Sequence, residues 1–246
     1  MLKRRVGFLA ISVMVLTALP SAMAQYDKAA VAALISDDVG TVLGQPLAIV
    51  EKISDVTPLV DGAKITKLNE ELKWRDSQGR FRRETTRVVE GTEPVYHMAT
   101  IIDPIKNTIT TLNMDRKTAR VVHLQQGQLR PYTELDNRVH LALPGGKVKV
   151  EKLDGKTIAG VYAVGIRVTR TWPPGTADND KMLVSVGERW VSPDSKVLLA
   201  SSLDDPRGQL TSEVTQLSRG EPDASLFEIP ADYTVKEAMG LPIPGR

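Results

Sequence analysis

From Lys67 onward the apolar side chains recur at every second position, and a period of two builds strands rather than helices. In KLNEELKWR (67–75), Leu68, Leu72 and Trp74 share one face, while Lys67, Asn69, Glu71, Lys73 and Arg75 share the other. That pattern predicts a strand with one buried and one solvated side. RFRRETTRVV, YHMATIID, TITTLN, KTARVVHL and KVKVEKL continue the series. DGK (154–156) then reads as a turn, and TIAGVYAVGIRVTRT (157–171) as one strand. Its Tyr162, Val164, Ile166 and Val168 form an apolar face opposite Arg167, Thr169 and Thr171. VSVGERWV, KVLLASSL and QLTSEVTQL close the series. Roughly nine or ten strands joined by short turns predict neighbours that run antiparallel. The expected fold is mainly β (α+β): a large curved antiparallel sheet or half-barrel wrapped over an apolar interior.

Three connections share one chemistry. IIDPIKNTIT, WVSPDSKVLL and LDDPRGQLTS each place Asp or Ser before a proline, between two alternating segments. Proline at the second turn position sets φ, and the residue before it can bond the backbone ahead. Asp103-Pro104, Ser192-Pro193 and Asp205-Pro206 are therefore expected to be turns. Asp204 and Asp205 beside Arg207 could also be read as a catalytic carboxylate pair. In extended geometry, however, adjacent residues point to opposite faces, which argues against a preorganised pair.

The remaining segments lack the period of two. MLKRRVGFLAISVMVLTALPSAMA has a basic start, an apolar run of about 14 residues and an Ala-x-Ala end, the pattern of a cleaved signal peptide. The run falls short of the roughly 20 residues that span a bilayer. Residues 1–24 are read as the signal and 25–246 as a single β-rich domain. Asp27 to Leu43 reads as an N-terminal helix, with Val31, Ile35, Val39 and Val42 at helical spacing and Gly44 at its end. Residues 124–146, bounded by prolines and glycines, read as an insertion or a lid. TWPPGTADND (171–180) reads as a long loop, and 240–246 as a loose tail.

Composition removes whole classes of chemistry. With no cysteine, disulfides, catalytic thiols and thiolate metal sites are excluded. Lys3, Arg4 and Arg5 are three of 32 basic residues; without them the 30 acidic residues are in excess by one. Neither a nucleic-acid partner nor an anionic membrane surface is expected from that balance. His97, His123 and His140 have no metal-ligand spacing, GxSxG and GxGxxG are missing, and DND (178–180) lacks the rest of a calcium loop. No metal, no cofactor and no catalytic residues are expected.

Glu188 is different. In VSVGERWV it is in register with Val184, Val186 and Trp190, on an otherwise apolar face. A carboxylate there needs a partner, and an arginine from a neighbouring strand would serve. A structural ion pair and a polar anchor for a ligand head group are both open readings. The apolar faces nominate Leu72, Trp74, Met98, Ile102, Leu112, Tyr162, Ile166, Trp190 and Leu199 as ligand-lining residues, with Glu188 beside them. The alternative for each is ordinary core packing.

The last third, EKLDGKTIAGVYAVGIRVTRTWPPG followed by GERWVSPDSKVLLASSLDDPRGQLTSEVTQLSRGEPDASLFEIPADYTV, resembles the ending of LolA/LolB/RseB-like proteins, the outer-membrane lipoprotein-sorting-like superfamily. RRETTRVV and ATIIDPIKNTITTLNMDRKTARVV fit an exported bacterial type with the same ending. The resemblance covers about residues 65–125 and 147–236. It implies a half-barrel with helices over a hydrophobic cavity that holds or senses acyl chains. It carries over no individual site residue.

The expectation is an exported, non-enzymatic binding protein, periplasmic or secreted, not membrane-spanning once the signal is cleaved. It would hold a lipid, a lipoprotein acyl chain or another apolar ligand. The alternative is an envelope protein–protein interaction module with no small ligand.

Overall fold

The computed structural model describes residues 42–88, 91–92, 95–124, 146–176 and 178–239. Twelve strands follow one another: β1 (Leu47–Pro58), β2 (Lys64–Arg75), β3 (Phe81–Arg87), β4 (Met98–Asp103), β5 (Thr108–Asn113) and β6 (Thr118–His123); then β7 (Lys147–Ile158), β8 (Val161–Trp172), β9 (Leu183–Ser192), β10 (Val197–Asp205), β11 (Gly208–Ser218) and β12 (Thr234–Met239). They form one open sheet in the order β12-β6-β5-β4-β3-β2-β1-β11-β10-β9-β8-β7. Two antiparallel meanders, β1–β6 and β7–β11, meet where β11 pairs with β1. β12 pairs with β6 in parallel, because the chain crosses the sheet before it re-enters at the far edge.

Two strands go beyond the sequence expectation. β1 has apolar residues on both faces near its start (Leu47, Ala48, Ile49, Val50), so a period of two is hard to see there. β12 is short, and its register comes from β6 alone. One expected strand is in fact parts of two. The turn sits at Ala159-Gly160, both at positive φ (47° and 76°), between the paired residues Ile158 and Val161. Two consecutive positive-φ residues suit the tight hairpin turn that matches strand twist. DGK is a bulge inside β7, where the register shifts between Leu153 and Lys156.

The Pro-containing connections are turns, as expected. Asp103 Oδ1 accepts from the amides of Ile105 (2.8 Å) and Lys106 (2.9 Å). Ser192 Oγ accepts from Ser195 N (3.1 Å). Asp205 Oδ1 accepts from Arg207 N (2.7 Å), and its Oδ2 from Arg207 Nη2 (2.6 Å). Asp204 instead accepts from Gln209 Nε2 (3.2 Å), so the two acids are held apart. In the 173–182 loop, Asn179 Nδ2 donates to the carbonyls of Pro173 (3.0 Å) and Lys181 (2.6 Å) and ties the loop together.

Apolar packing occurs on both faces of the first meander. One cluster joins Leu47, Ile49, Phe81, Ile102 and Ile109 to Ile158, Val161 and Ala163 of the β7–β8 hairpin and to Val197 and Leu199 of β10. The other joins Ala99, Ile101, Leu112 and Ala119 to Phe227, with Trp74 and Tyr233 packed against them. Its cover is the segment LFEIPADY. Asp223 caps a 3-10 helix (Ala224–Phe227), Arg82 Nη1 donates to Leu226 O (2.9 Å), and the Arg80 guanidinium sits 4.8 Å from the Phe227 ring centre.

Packing on both faces corrects the simple division into a dry and a wet side. On β2 the charged face is the more buried from Glu71 onward: Glu71, Lys73 and Arg75 are buried, while Leu72 and Trp74 are half-buried and Leu68 is exposed. On β8, Val161, Ala163 and Gly165 are buried, whereas Tyr162 and Val164 are exposed; the buried side then changes, and Val168 is buried. Bulges at Val50/Glu51, Leu198/Ala200 and Leu153/Lys156 sharpen the local twist and turn different strand faces inward along one strand.

The expected helix over Asp27–Leu43 lies outside the described residues except for Val42 and Leu43, and Leu43-Gly44 is a turn there. Among the described residues no α-helix occurs. The expected signal, the tail and the interior of the 124–146 insertion also lie outside them.

Candidate functional site

A cleft of about 450 Å³ is lined by residues of β2, β1, β11, β10 and β9, with Val88 beyond β3 and Lys156 of β7. Strands that far apart can share one hollow only if the sheet bends round it. The floor is built of small side chains in register: Ser54 lies opposite Thr211, Thr211 opposite Ser202, and Ala200 opposite Glu213. Leu68 and Val88 form one wall, and Trp190 with Lys156 and Glu188 forms the other.

The Trp190 wall depends on two departures from regular sheet. Gly165 lies directly across from Trp190, and a Cβ there would meet the indole at 2.6 Å. The missing side chain lets the ring lie against the β8 backbone. The β7 bulge places Lys156 so that its Nζ stands 4.2 Å from the ring centre, a cation–π contact. Glu188 receives Arg167 of β8 through Nε (2.8 Å) and Nη2 (2.6 Å), both on Oε1.

Lys52, Glu70 and Glu213 complete the charged lining, and Lys52 is in register with both acids. Glu70 accepts from the Tyr96 phenol (2.7 Å). Burial, the Glu70 hydrogen bond and the nearby Glu84 push the Tyr96 phenol above its ordinary value. The cleft thus combines an aliphatic wall, an aromatic wall, a hydroxyl-bearing floor and charges at the rim.

Behind the cleft, Glu51 and Glu71 face each other in register, and Lys73 bridges them, 3.0 Å from Glu71. Burial alone would raise the Glu71 carboxyl. Lys73 and Arg83, with hydrogen bonds from Lys73 and Thr85, outweigh it and hold the group below the usual carboxylate range. Arg75, 0% exposed, donates to Gln45 O (2.7 Å), Ser195 O (2.6 Å) and Lys196 O (3.3 Å). Burial pulls its guanidinium down to about 10.

Of the ten residues nominated from sequence, Glu188 and Trp190 line this cleft. Leu112 is buried in the Phe227 cluster, and Trp74 packs against it. Ile102 and Leu199 belong to the other cluster. Met98 and Tyr162 are exposed, and Leu72 and Ile166 half-buried, away from the cleft lining. The cleft residues Lys52, Leu68, Lys156, Ser202, Thr211 and Glu213, and the seat Gly165, were not nominated. Gly165 and Gly187, each within an alternating run near a tryptophan or glutamate, were the available signal.

His97 contacts Asp115 (2.8 Å) and His123 contacts Glu237 (2.9 Å), both at the surface; His140 lies outside the described residues. Among the described residues no group of three or more metal-ligating side chains occurs, and no helix is long and apolar enough to cross a membrane.

The described residues define a class: one open, bent sheet of twelve strands with a cleft on one face. Solved structures similar to it include MucB in complex with MucA(peri), at 16% identity over 84% of this chain and 60% of that one, TM-score 0.41. LprF from Mycobacterium bovis is similar at 13% identity over 87% and 99% of the two chains, TM-score 0.33. A LolA superfamily protein from Nitrosomonas europaea is similar at 10% identity over 80% and 97%, TM-score 0.28. The chain spans 60% of the length of that MucB. No residue or ligand is carried across from them. No family model and no curated protein matches the chain.

Proposed function

We propose that this is an exported, non-enzymatic binding protein that holds the acyl part of a lipid, a lipoprotein or another amphiphile in the cleft between Leu68 and Trp190. The observation that carries the reading is the cleft itself: a hollow of about 450 Å³, within the range of small-ligand sites, with aliphatic and aromatic walls over a floor kept low by Ser54, Ala200, Ser202 and Thr211. Glu188 and Trp190 are its contributors among the nominated residues; Trp74, Ile102, Leu112 and Leu199 serve the core.

The test is native mass spectrometry of the protein purified from its own envelope extract, followed by solvent extraction. A bound species in the mass range of a lipid or acyl chain is expected. It should fall away in Ser202→Leu, which fills the floor, while circular dichroism shows the sheet retained. A clean apo mass, with no uptake of a fluorescent fatty acid, would sink the proposal.

A second reading has one observation in its favour. Among the described residues β7 is a twelve-residue edge strand whose outer backbone groups have no strand partner, so an extended segment of another envelope protein could add there. Lys147, Lys149, Lys152 and Lys156 along it are equally the means by which edges resist such pairing.

A further inference from the structure

The cleft carries information about the head group as well as the chain. Two of its three acids are engaged: Glu188 holds Arg167, and Glu70 accepts from the Tyr96 phenol, while Glu213 lies across from Lys52. Its two lysines are not matched in that way. Lys156 rests on the Trp190 indole, and Lys52 lies on β1, two positions from Ser54 and between Glu70 and Glu213 in register; neither forms an ion pair among the described residues. An ammonium over an aromatic face at an exposed site gains less than a charge-assisted hydrogen bond. Lys156 can therefore be drawn off the ring by an anion, which would leave the indole face open to a methylene chain.

We infer that the cleft selects amphiphiles with an anionic head, a carboxylate or a phosphate, and that Lys156 and Lys52 are the residues that read it. The head sits between the two ammonium groups. The chain runs along Leu68, Val88 and the uncovered Trp190 face. Glu70 and Glu213 weaken this preference, since both stand across from Lys52 in register. This inference rests on the binding reading above and adds the head-group chemistry to it.

The experiment uses the whole chain and a set of twelve-carbon amphiphiles below their micelle concentrations: laurate, dodecyl phosphate and dodecyltrimethylammonium. Binding is followed by calorimetry, and by Trp190 emission in a Trp74→Phe/Trp172→Phe background. Laurate or dodecyl phosphate should bind about tenfold or more tightly than the cationic analogue, as one charge-assisted contact implies. Their relative affinities distinguish a free-acid from a phospholipid source. Trp190 emission should change on anion binding as Lys156 leaves the ring. Lys52→Met with Lys156→Met should erase the preference while the cationic probe still binds, with the sheet intact by circular dichroism. Equal affinity for anionic and cationic probes, or a preference untouched by the two substitutions, overturns the head-group inference and leaves the binding proposal standing. No binding of any of the three overturns both.

Discussion

At the residue scale Gly165 is a constrained position beside the cleft. Any Cβ there overlaps the Trp190 ring, so the indole must leave its seat. Gly165→Val is expected to destabilise by about 1–3 kcal/mol, as overpacking does. Urea unfolding would show it, with a red shift in Trp190 emission as the ring becomes wetter. Lys73 is the second such position. With it gone, Glu51 and Glu71 would face each other buried and without their shared cation. Lys73→Met should cost roughly 3–5 kcal/mol at neutral pH, since one partner of a buried pair is lost. The pH dependence has a definite sign. Glu71 is held below its ordinary 4.5, so its contribution is present above that value and is lost as pH falls through the folded-state value. In the Lys73→Met protein the buried Glu71 carboxylate, without Lys73, should instead take up a proton readily. Its deficit against wild type is then expected to shrink towards pH 4, which unfolding curves at several pH values would check.

At the element scale the turns were legible and the strand faces were not. Asp103, Ser192 and Asp205 do what their place before proline predicts, because a side chain bonding the next amides is a local event. They should differ in cost. Asp103 is buried and satisfies two amides, so Asp103→Ala is expected to lose about 2 kcal/mol; Ser192→Ala, with one longer bond, about 1 kcal/mol. Thermal melts of the two variants would rank them. Face assignment failed on β2 and β8 for a reason no single strand contains. Lys73 and Arg75 look like solvent residues until Glu51 arrives from β1 and the Ser195 and Lys196 carbonyls from the β9–β10 turn, some 120 positions away. DGK failed similarly: Asp-Gly is a strong turn signal, yet the hairpin closed at Ala159-Gly160 and left Gly155 as the seat of the Tyr162 hydroxyl. The cleft was legible only at Glu188 and Trp190, because its other walls are brought together by the bend of the sheet.

At the scale of the whole molecule, one side chain ties the two meanders together on the face opposite the cleft. Arg75 reaches from β2 to the β9–β10 turn and holds it over the first cluster. Arg75→Met keeps the length but strands three carbonyls. Hydrogen exchange should then quicken at residues 158–163 and 192–200, while β4–β6 keep their protection. Uniform loss of protection would show that the two meanders unfold as one unit.

The order of strands also decides when the protein can be complete. The later chain grips the first meander at both of its borders, β11 of the second meander against β1 and the separate strand β12 against β6. The first six strands therefore have no border of their own that the later chain leaves unpaired. Each half can assemble from near neighbours, but the central seam and the outer clasp both wait for the last quarter of the chain. A nascent chain exposes both borders until then, and its window of vulnerability to aggregation lasts as long as its synthesis.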